Sequence, residues 1–321
     1  MTRTFPAWFR SALTYGVLGL FGLWCLHKFQ ADISKIRLSD LHGQWGIVAL
    51  AGGLSLLNYA LRVARWGFYL QRMGHRLPWG FCGMTYLAGF AFTLSPGKVG
   101  EMVRARYYQQ RQIPLGDVTA AFFAERLMDL IVILLLALGM LAGLPAYRLV
   151  MWLGIVLVSL TVMMLLFMPW AKVQTWLDAH PRAEQVHVKA LSAAATMLLS
   201  ARQFLSPGML LWGFLLGLMA WGAEAVGFKL VGDAISPQAP LLWATAIGIY
   251  ATATLVGALS FLPGGLGSTE AVMASLLFAN GFALPEALLL TLMCRLLTLW
   301  LAVVIGWFFV WVLRHDASNR R

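Results

Sequence analysis

The sequence predicts an all-α polytopic membrane protein, with about six full transmembrane helices plus two oppositely oriented re-entrant hairpins in an inverted repeat. Three observations carry that prediction. Of 321 residues 60% are hydrophobic and 12% charged, with mean hydropathy +0.75, whereas a soluble domain carries about 25% charged residues. The basic residues fall between the apolar runs, as cytoplasmic loops of membrane proteins require. Two Pro-Gly turns, each followed by a glutamate, interrupt the apolar chain at PGKVGE (96–101) and PGGLGSTE (263–270).

The apolar runs are 12–26, 45–61, 80–95, 117–144, 149–170, 208–230, 241–262 and 285–313, and only some reach the roughly 20 residues that a spanning helix needs. Arg3 and Arg10 precede the first run, and no A-x-A cleavage pattern follows it, so 12–26 reads as a retained helix with a cytoplasmic N-terminus. Runs 12–26 and 45–61 cross out and back, which leaves RVARWGFYLQRMGHR, with Arg62, Arg65, Arg72 and Arg76, in the cytoplasm. A full crossing by 80–95 would strand Lys98, Arg104, Arg106 and Arg111 outside. A hairpin that enters from the cytoplasm, turns at Pro96-Gly97 and returns through 100–112 removes that conflict.

Run 117–144 then crosses outward and 149–170 returns. Residues 172–207, with Lys172, Arg182, Lys189 and Arg202, form a cytoplasmic connecting helix. Run 208–230 crosses to a loop, GDAISPQAP, that holds no Lys or Arg. Arg314, Arg320 and Arg321 keep the C-terminus inside, so 285–313 starts outside. Runs 241–262 and 267–281 form a second hairpin, entering from outside and turning at Pro263-Gly264-Gly265.

The whole chain is then one membrane domain, 1–321, built of a first repeat, 12–144, and a second, 149–313. The two halves match in sequence. Pro96-Gly97-x-x-Gly100 parallels Pro263-Gly264-x-x-Gly267, and from the glutamates onward Glu101 aligns with Glu270, Asp117 with Glu286 and Arg126 with Arg295. Glutamate and arginine are 25 residues apart in both halves. An odd number of crossings per half makes the halves inverted, which is a transporter architecture.

The net charge of +11 argues for anionic lipid headgroups rather than nucleic acid, because the basic residues follow topology and are not gathered on one helix or in one domain. Cys25, Cys82 and Cys294 sit inside apolar runs at spacings of no zinc or redox motif, and the histidines form no HExxH pair. The sequence calls for no metal and no cofactor. No sizeable soluble domain remains, which argues against an enzyme.

The candidate site is intramembrane. Arg126 and Arg295 lie nine and ten residues into their runs, about 15 Å deep at 1.5 Å per residue, where an arginine costs about 2.5 kcal/mol or more and must face a partner or a cavity. Glu125 and Asp129 share a helix face with Arg126, and Glu101 is a further mate. Arg126 is therefore either a lock between hairpin and helix or a substrate-binding group. Arg295 has no acid within a turn, so Glu270 is its expected partner. Glycine and proline at the tips (Pro96, Gly97, Gly100, Pro263, Gly264, Gly265, Gly267) serve either close packing or the start of helices whose free N–H groups favour an anion, with Lys98 adding charge. Glu224 is either a proton-coupling acid or an interfacial residue near Lys229.

At PGKVGEMVRA, AERLMDL and FLPGGLGSTEAVMASLL the chain resembles the lysylphosphatidylglycerol synthase transmembrane family, over roughly 12–313. The resemblance implies a flippase-like unit that moves a lipid between leaflets while a separate soluble domain makes it. The sequence ends at Arg321 without such a domain, so the synthase activity is not carried over, and a separate lipid-synthesising enzyme is an expected partner beside the membrane lipids themselves. Polyprenyl-linked and hopanoid lipids are further candidate cargoes on the same resemblance. It supports roles for Pro96, Gly97, Gly100, Glu101, Glu125, Arg126, Asp129, Pro263, Gly264, Gly265, Gly267 and Glu270. The expected function is a lipid flippase of the bacterial inner membrane that holds an anionic headgroup at Arg126, Arg295 and the hairpin helix ends. The alternatives are a membrane enzyme with Glu101 or Glu270 as general base, and a small-anion carrier.

Overall fold

The structure is a computed structural model that describes residues 43–179, 186–238 and 240–319. The first expected span, 12–26, lies outside the described residues, as do Arg3, Arg10, Arg182, Arg320 and Arg321. Every regular element among the described residues is helical.

Helix α1, Trp45–Arg72, runs on past the end of its apolar run. Nothing between Leu61 and Arg72 breaks a helix, and the stop comes only at Gly74, which adopts φ +90° while the His75 N–H donates to Leu70 O at 2.9 Å in a Schellman-type end. Arg62 and Arg65 therefore sit on the buried face of α1, at 5% and 1% exposure. The sequence reading had placed them in a cytoplasmic stretch. Charge alone did not reveal their burial, because a buried guanidinium and a solvent-exposed one look the same without their partners.

The first hairpin follows: α2, Trp79–Gly89, a turn through 90–95, a 3-10 stretch Pro96–Val103 and α3, Arg104–Gln109. The return leg, expected over 100–112, is a 3-10 stretch followed by a six-residue helix. Helix α4, Leu115–Gly143, is 29 residues long, about 43 Å at 1.5 Å per residue. A 3-10 turn, Pro145–Tyr147, leads into α5, Arg148–Phe167. The connection expected as one helix is two, α6, Trp170–Asp178, and α7, Val186–Ala201, with a 3-10 end Arg202–Leu205.

Helix α8, Pro207–Ile235, begins the second half's long elements. Its hairpin is α9, Trp243–Leu259, a tip Pro263–Gly265 and α10, Ser268–Ala279. Helix α11, Leu284–Arg295, continues through one π turn, Leu296–Trp300, into α12, Leu301–Asn319. Four segments, Trp45–Arg72, Pro145–Phe167, Pro207–Ile235 and Leu284–His315, are long and apolar enough to cross a membrane, and α4 has comparable length.

The packing is reciprocal between halves. Helix α1 lies along α8; α2 and the turn after it lie on α12, while α9 lies on α4. Each hairpin therefore leans on the closing long helix of the other half, and the hairpin tips touch each other. At the contact a Cβ on Gly264 would lie 2.7 Å from Leu94 Cδ2, and Gly264 takes φ +61°, so both space and backbone call for glycine. One apolar core joins α4, α8, α9, α10 and α11; a second joins α1, α2, α3, α4 and α7. Helix α5 turns Leu149, Trp152, Leu153, Leu160 and Met163 outward, each more than half exposed, as a lipid-facing helix must.

Candidate functional site

Where the two tips meet, the helices enclose a cavity of about 340 Å³. Arg62 of α1, Lys98 of the first tip, Arg126 and Asp129 of α4, Trp221 and Glu224 of α8, and Arg295 of α11 supply its polar wall. Leu157, Phe261 and Leu262, all exposed on the outer surface, form part of its apolar wall.

On the first-half side the charges are dense. Glu101, Glu125 and Asp129 meet Arg62, Arg65, Arg104 and Arg126. Asp129 accepts from Arg65 at 2.5 Å and from Trp221 Nε1 at 3.1 Å. Arg126 approaches Glu125 to 2.8 Å, Asp129 to 3.2 Å and Glu101 to 3.9 Å. Tyr86 Oη donates to Glu125 Oε1, and Thr93 donates to Glu101 at 2.9 Å. Arg104 sits between Trp66 and Tyr86, at 4.2 and 4.5 Å from their ring centroids, a stacked position that guanidinium groups fill well. Three carboxylates thus face four guanidiniums, and the excess positive charge lies on the cavity side, where Arg126 is 20% exposed.

On the second-half side there is one pair. Arg295 Nε donates to Glu270 Oε1 at 2.7 Å, and its Nη2 donates to Gly264 O at 2.6 Å. This is the pairing that the sequence spacing predicts. Glu270 also accepts from the Gly267 N–H at 2.7 Å.

That last bond bears on one expectation. Free N–H groups at the hairpin helix ends were to help hold an anion, but the start of α10 is capped by its own glutamate. In the first hairpin no regular helix starts at the turn, and the Gly100 N–H donates to Ser95 Oγ at 2.6 Å. The side-chain cations line the cavity together with the turn residues Gly97, Gly264 and Gly265 and with Thr269 at the start of α10. Lys229, near which the sequence places Glu224, pairs with Asp233 one turn on, and Tyr250 Oη donates to Glu224.

The structure brings Lys98, Glu101, Glu125, Arg126 and Asp129 into one cluster and sets Arg295 with Glu270 across the cavity from it. The Lys98 N–H donates to Ser95 O at 2.9 Å, but its ammonium makes no hydrogen bond or ion pair among the described residues and lies 6.0 Å from the Trp221 ring centroid. Gly97 and Lys98 both take φ near +60° (59° and 57°), a strained state for lysine. Sequence reasoning missed Arg62, Arg65 and Arg104 as site residues. The signal was present in LRVAR, where arginines three apart on an unbroken helix share a face.

The sequence model described as "Lysylphosphatidylglycerol synthase TM region" matches residues 9–306. The chain belongs to this family. A UPF0104 membrane protein of Methanothermobacter thermautotrophicus is 28% identical over 301 residues, 86% of each chain. Membership of the lysylphosphatidylglycerol synthase transmembrane family ties the chain to lipid-related function in a membrane.

Proposed function

We propose that the chain is a lipid transporter that moves an anionic, phosphate-bearing lipid between leaflets of a bacterial inner membrane, with both termini cytoplasmic. The carrying observation is the cavity between the hairpin tips, which joins a cationic wall of Arg62, Lys98, Arg126 and Arg295 to an apolar wall open at Leu157, Phe261 and Leu262. A phosphate would take charge-assisted bonds from Arg126 and Arg295, which are the strong ones in low dielectric, while its acyl or prenyl chains stay in lipid.

The hairpin lengths support re-entry rather than crossing. Helices α2, α9 and α10 have 11, 17 and 12 residues, below the roughly 20 that span about 30 Å. The reciprocal packing of each hairpin on the other half supports an inverted repeat, with the site at the interface of the halves. Glu101 and Glu270 are both held in ion pairs, which favours a binding role over that of a free general base, so the chain is read as a transporter and not an enzyme. A separate enzyme would then supply the lipid.

The test is leaflet exchange in phosphatidylcholine vesicles doped with labelled phosphatidylglycerol. Arg126→Ala leaves Asp129 and Glu125 bridged by Arg62 and Arg65, and Arg295→Ala leaves Glu270 capping α10, so both variants are expected to insert and fold. Exchange of the anionic probe should fall about tenfold or more in each, the loss of roughly 1.4 kcal/mol of binding. Wild-type rates in both variants would overturn the proposal.

A further inference from the structure

Among the intramembrane carboxylates described, Glu101, Glu125, Asp129 and Glu270 each lie within 4.0 Å of a guanidinium. Glu224 does not. It is 6% exposed, its one hydrogen-bond partner is the neutral phenol of Tyr250, and it lines the main cavity. It also lines a second void of about 10 Å³, with Ser55, Cys294 and Thr298, roughly the space of a single water.

The groups that face Glu224 are Tyr59 and Arg62 from α1, Lys98 from the first tip, Tyr250 from α9, and Cys294 and Arg295 from α11, with Arg126 and Asp129 of α4 on the same cavity. None of the cations touches it. A carboxylate out of water with no ion-pair partner neutralises by taking up a proton. Arg62, Lys98 and Arg295 oppose this from across the cavity, as their positive potential favours the ionised acid. An anion seated among those cations cancels that potential.

We infer that Glu224, held by Tyr250, is a proton-binding site coupled to the cavity, so that a proton and the anionic headgroup bind together. The inference rests on the transport reading above and deepens it, since it names what a proton gradient could act on. Linkage makes the effect reciprocal: the anion strengthens proton binding and the proton strengthens anion binding by the same factor. No bond is made or broken beyond the transfer of one proton from water to a Glu224 oxygen.

The probe is dihexanoylphosphatidylglycerol, a phosphodiester that does not itself titrate near neutral pH. Infrared difference spectra of the purified full chain in detergent, recorded across pH, should contain the carbonyl band of a protonated acid that Glu224→Gln lacks. Tyr250→Phe, which keeps the acid but removes its hydroxyl, should shift that band, and identifies it should the glutamine variant not fold. Adding the probe should raise the band's titration midpoint by about one pH unit, a tenfold change in proton affinity. In parallel, probe binding read by tryptophan quenching should tighten about tenfold on acidification in the wild type and stay flat in Glu224→Gln.

Absence of any band sensitive to either substitution overturns the inference, as does a band whose midpoint stays put while the probe binds. A titrating band with no probe binding at all means instead that the anion-cavity reading has failed, and the inference falls with it.

Discussion

The two Pro-Gly hairpins share the spacing from glutamate to arginine, yet their glutamates live in different surroundings. Glu101 belongs to a buried network of three acids and four arginines, reinforced by Tyr86, Thr93 and Trp221. Glu270 holds one arginine and its own helix cap, and is 26% exposed. The difference teaches which half is the frame. Charges fixed by many partners at once resist movement, while a single pair backed by one carbonyl, Gly264 O, exchanges its acceptor at smaller cost, as the proposed binding of an anion would require. On this reading the first half holds the cavity's shape, and Arg295 with its tip is the adjustable side.

The sharpest way to break that comparison is to neutralise one acid in each half. Glu125→Gln leaves four guanidiniums, Arg62, Arg65, Arg104 and Arg126, facing one negative charge fewer in a dry interior, where breaking a buried pair costs about 3–5 kcal/mol. Glu270→Gln leaves Arg295 its bond to Gly264 O and should cost about 1–3 kcal/mol. Thermal unfolding followed by fluorescence-detected size exclusion should therefore show a much larger drop for Glu125→Gln. Equal drops would mean that the halves are equally rigid.

A second, smaller contrast lies in how each hairpin is seated. On Gly306 of α12, an added Cβ would fall 2.1 Å from Ala91 N and 2.6 Å from Phe90 C, so the first hairpin rests backbone to backbone. On Gly248 of α9 the neighbour is the Met140 side chain, at 2.7 Å. Backbone cannot yield without moving the hairpin, whereas a methionine re-packs readily. Gly306→Ala should lose stability at the upper end of the overpacking range of about 1–3 kcal/mol, and Gly248→Ala at the lower end. Thermal melts of the pair test this, and the reverse order would place the rigid seat in the second half.

Much of this was legible in the sequence, for identifiable reasons. The turns could be read because Pro and Gly interrupt an apolar run at matching places in two stretches of the chain, and the Arg295–Glu270 pair because no other acid was near enough. The frame could not. Arg62, Arg65 and Arg104 are ordinary basic residues until α1 is known to continue to Arg72 and α3 to turn back under α4. A positive-inside count reads position along the chain, while burial depends on which helices are neighbours. The capping of α10 by Glu270 was also hidden, since one glutamate three residues past a glycine serves equally as a cap or as an arginine's partner, and here it serves both.

The smallest expected effect isolates the cavity from the frame. Lys98 is a lysine in a left-handed backbone state, at φ 57°, and its ammonium has no partner among the described residues. Replacing it with glycine relieves a conformation that costs a non-glycine residue about 1 kcal/mol, so Lys98→Gly should melt slightly higher than the wild type. The same change removes one of the cavity's four cations, Arg62, Lys98, Arg126 and Arg295, and should weaken binding of dihexanoylphosphatidylglycerol severalfold. Stability and affinity moving in opposite directions is the signature of strain kept for function. If binding is unchanged while the melt rises, Lys98 only shapes the tip, and the cavity's charge is carried by the arginines.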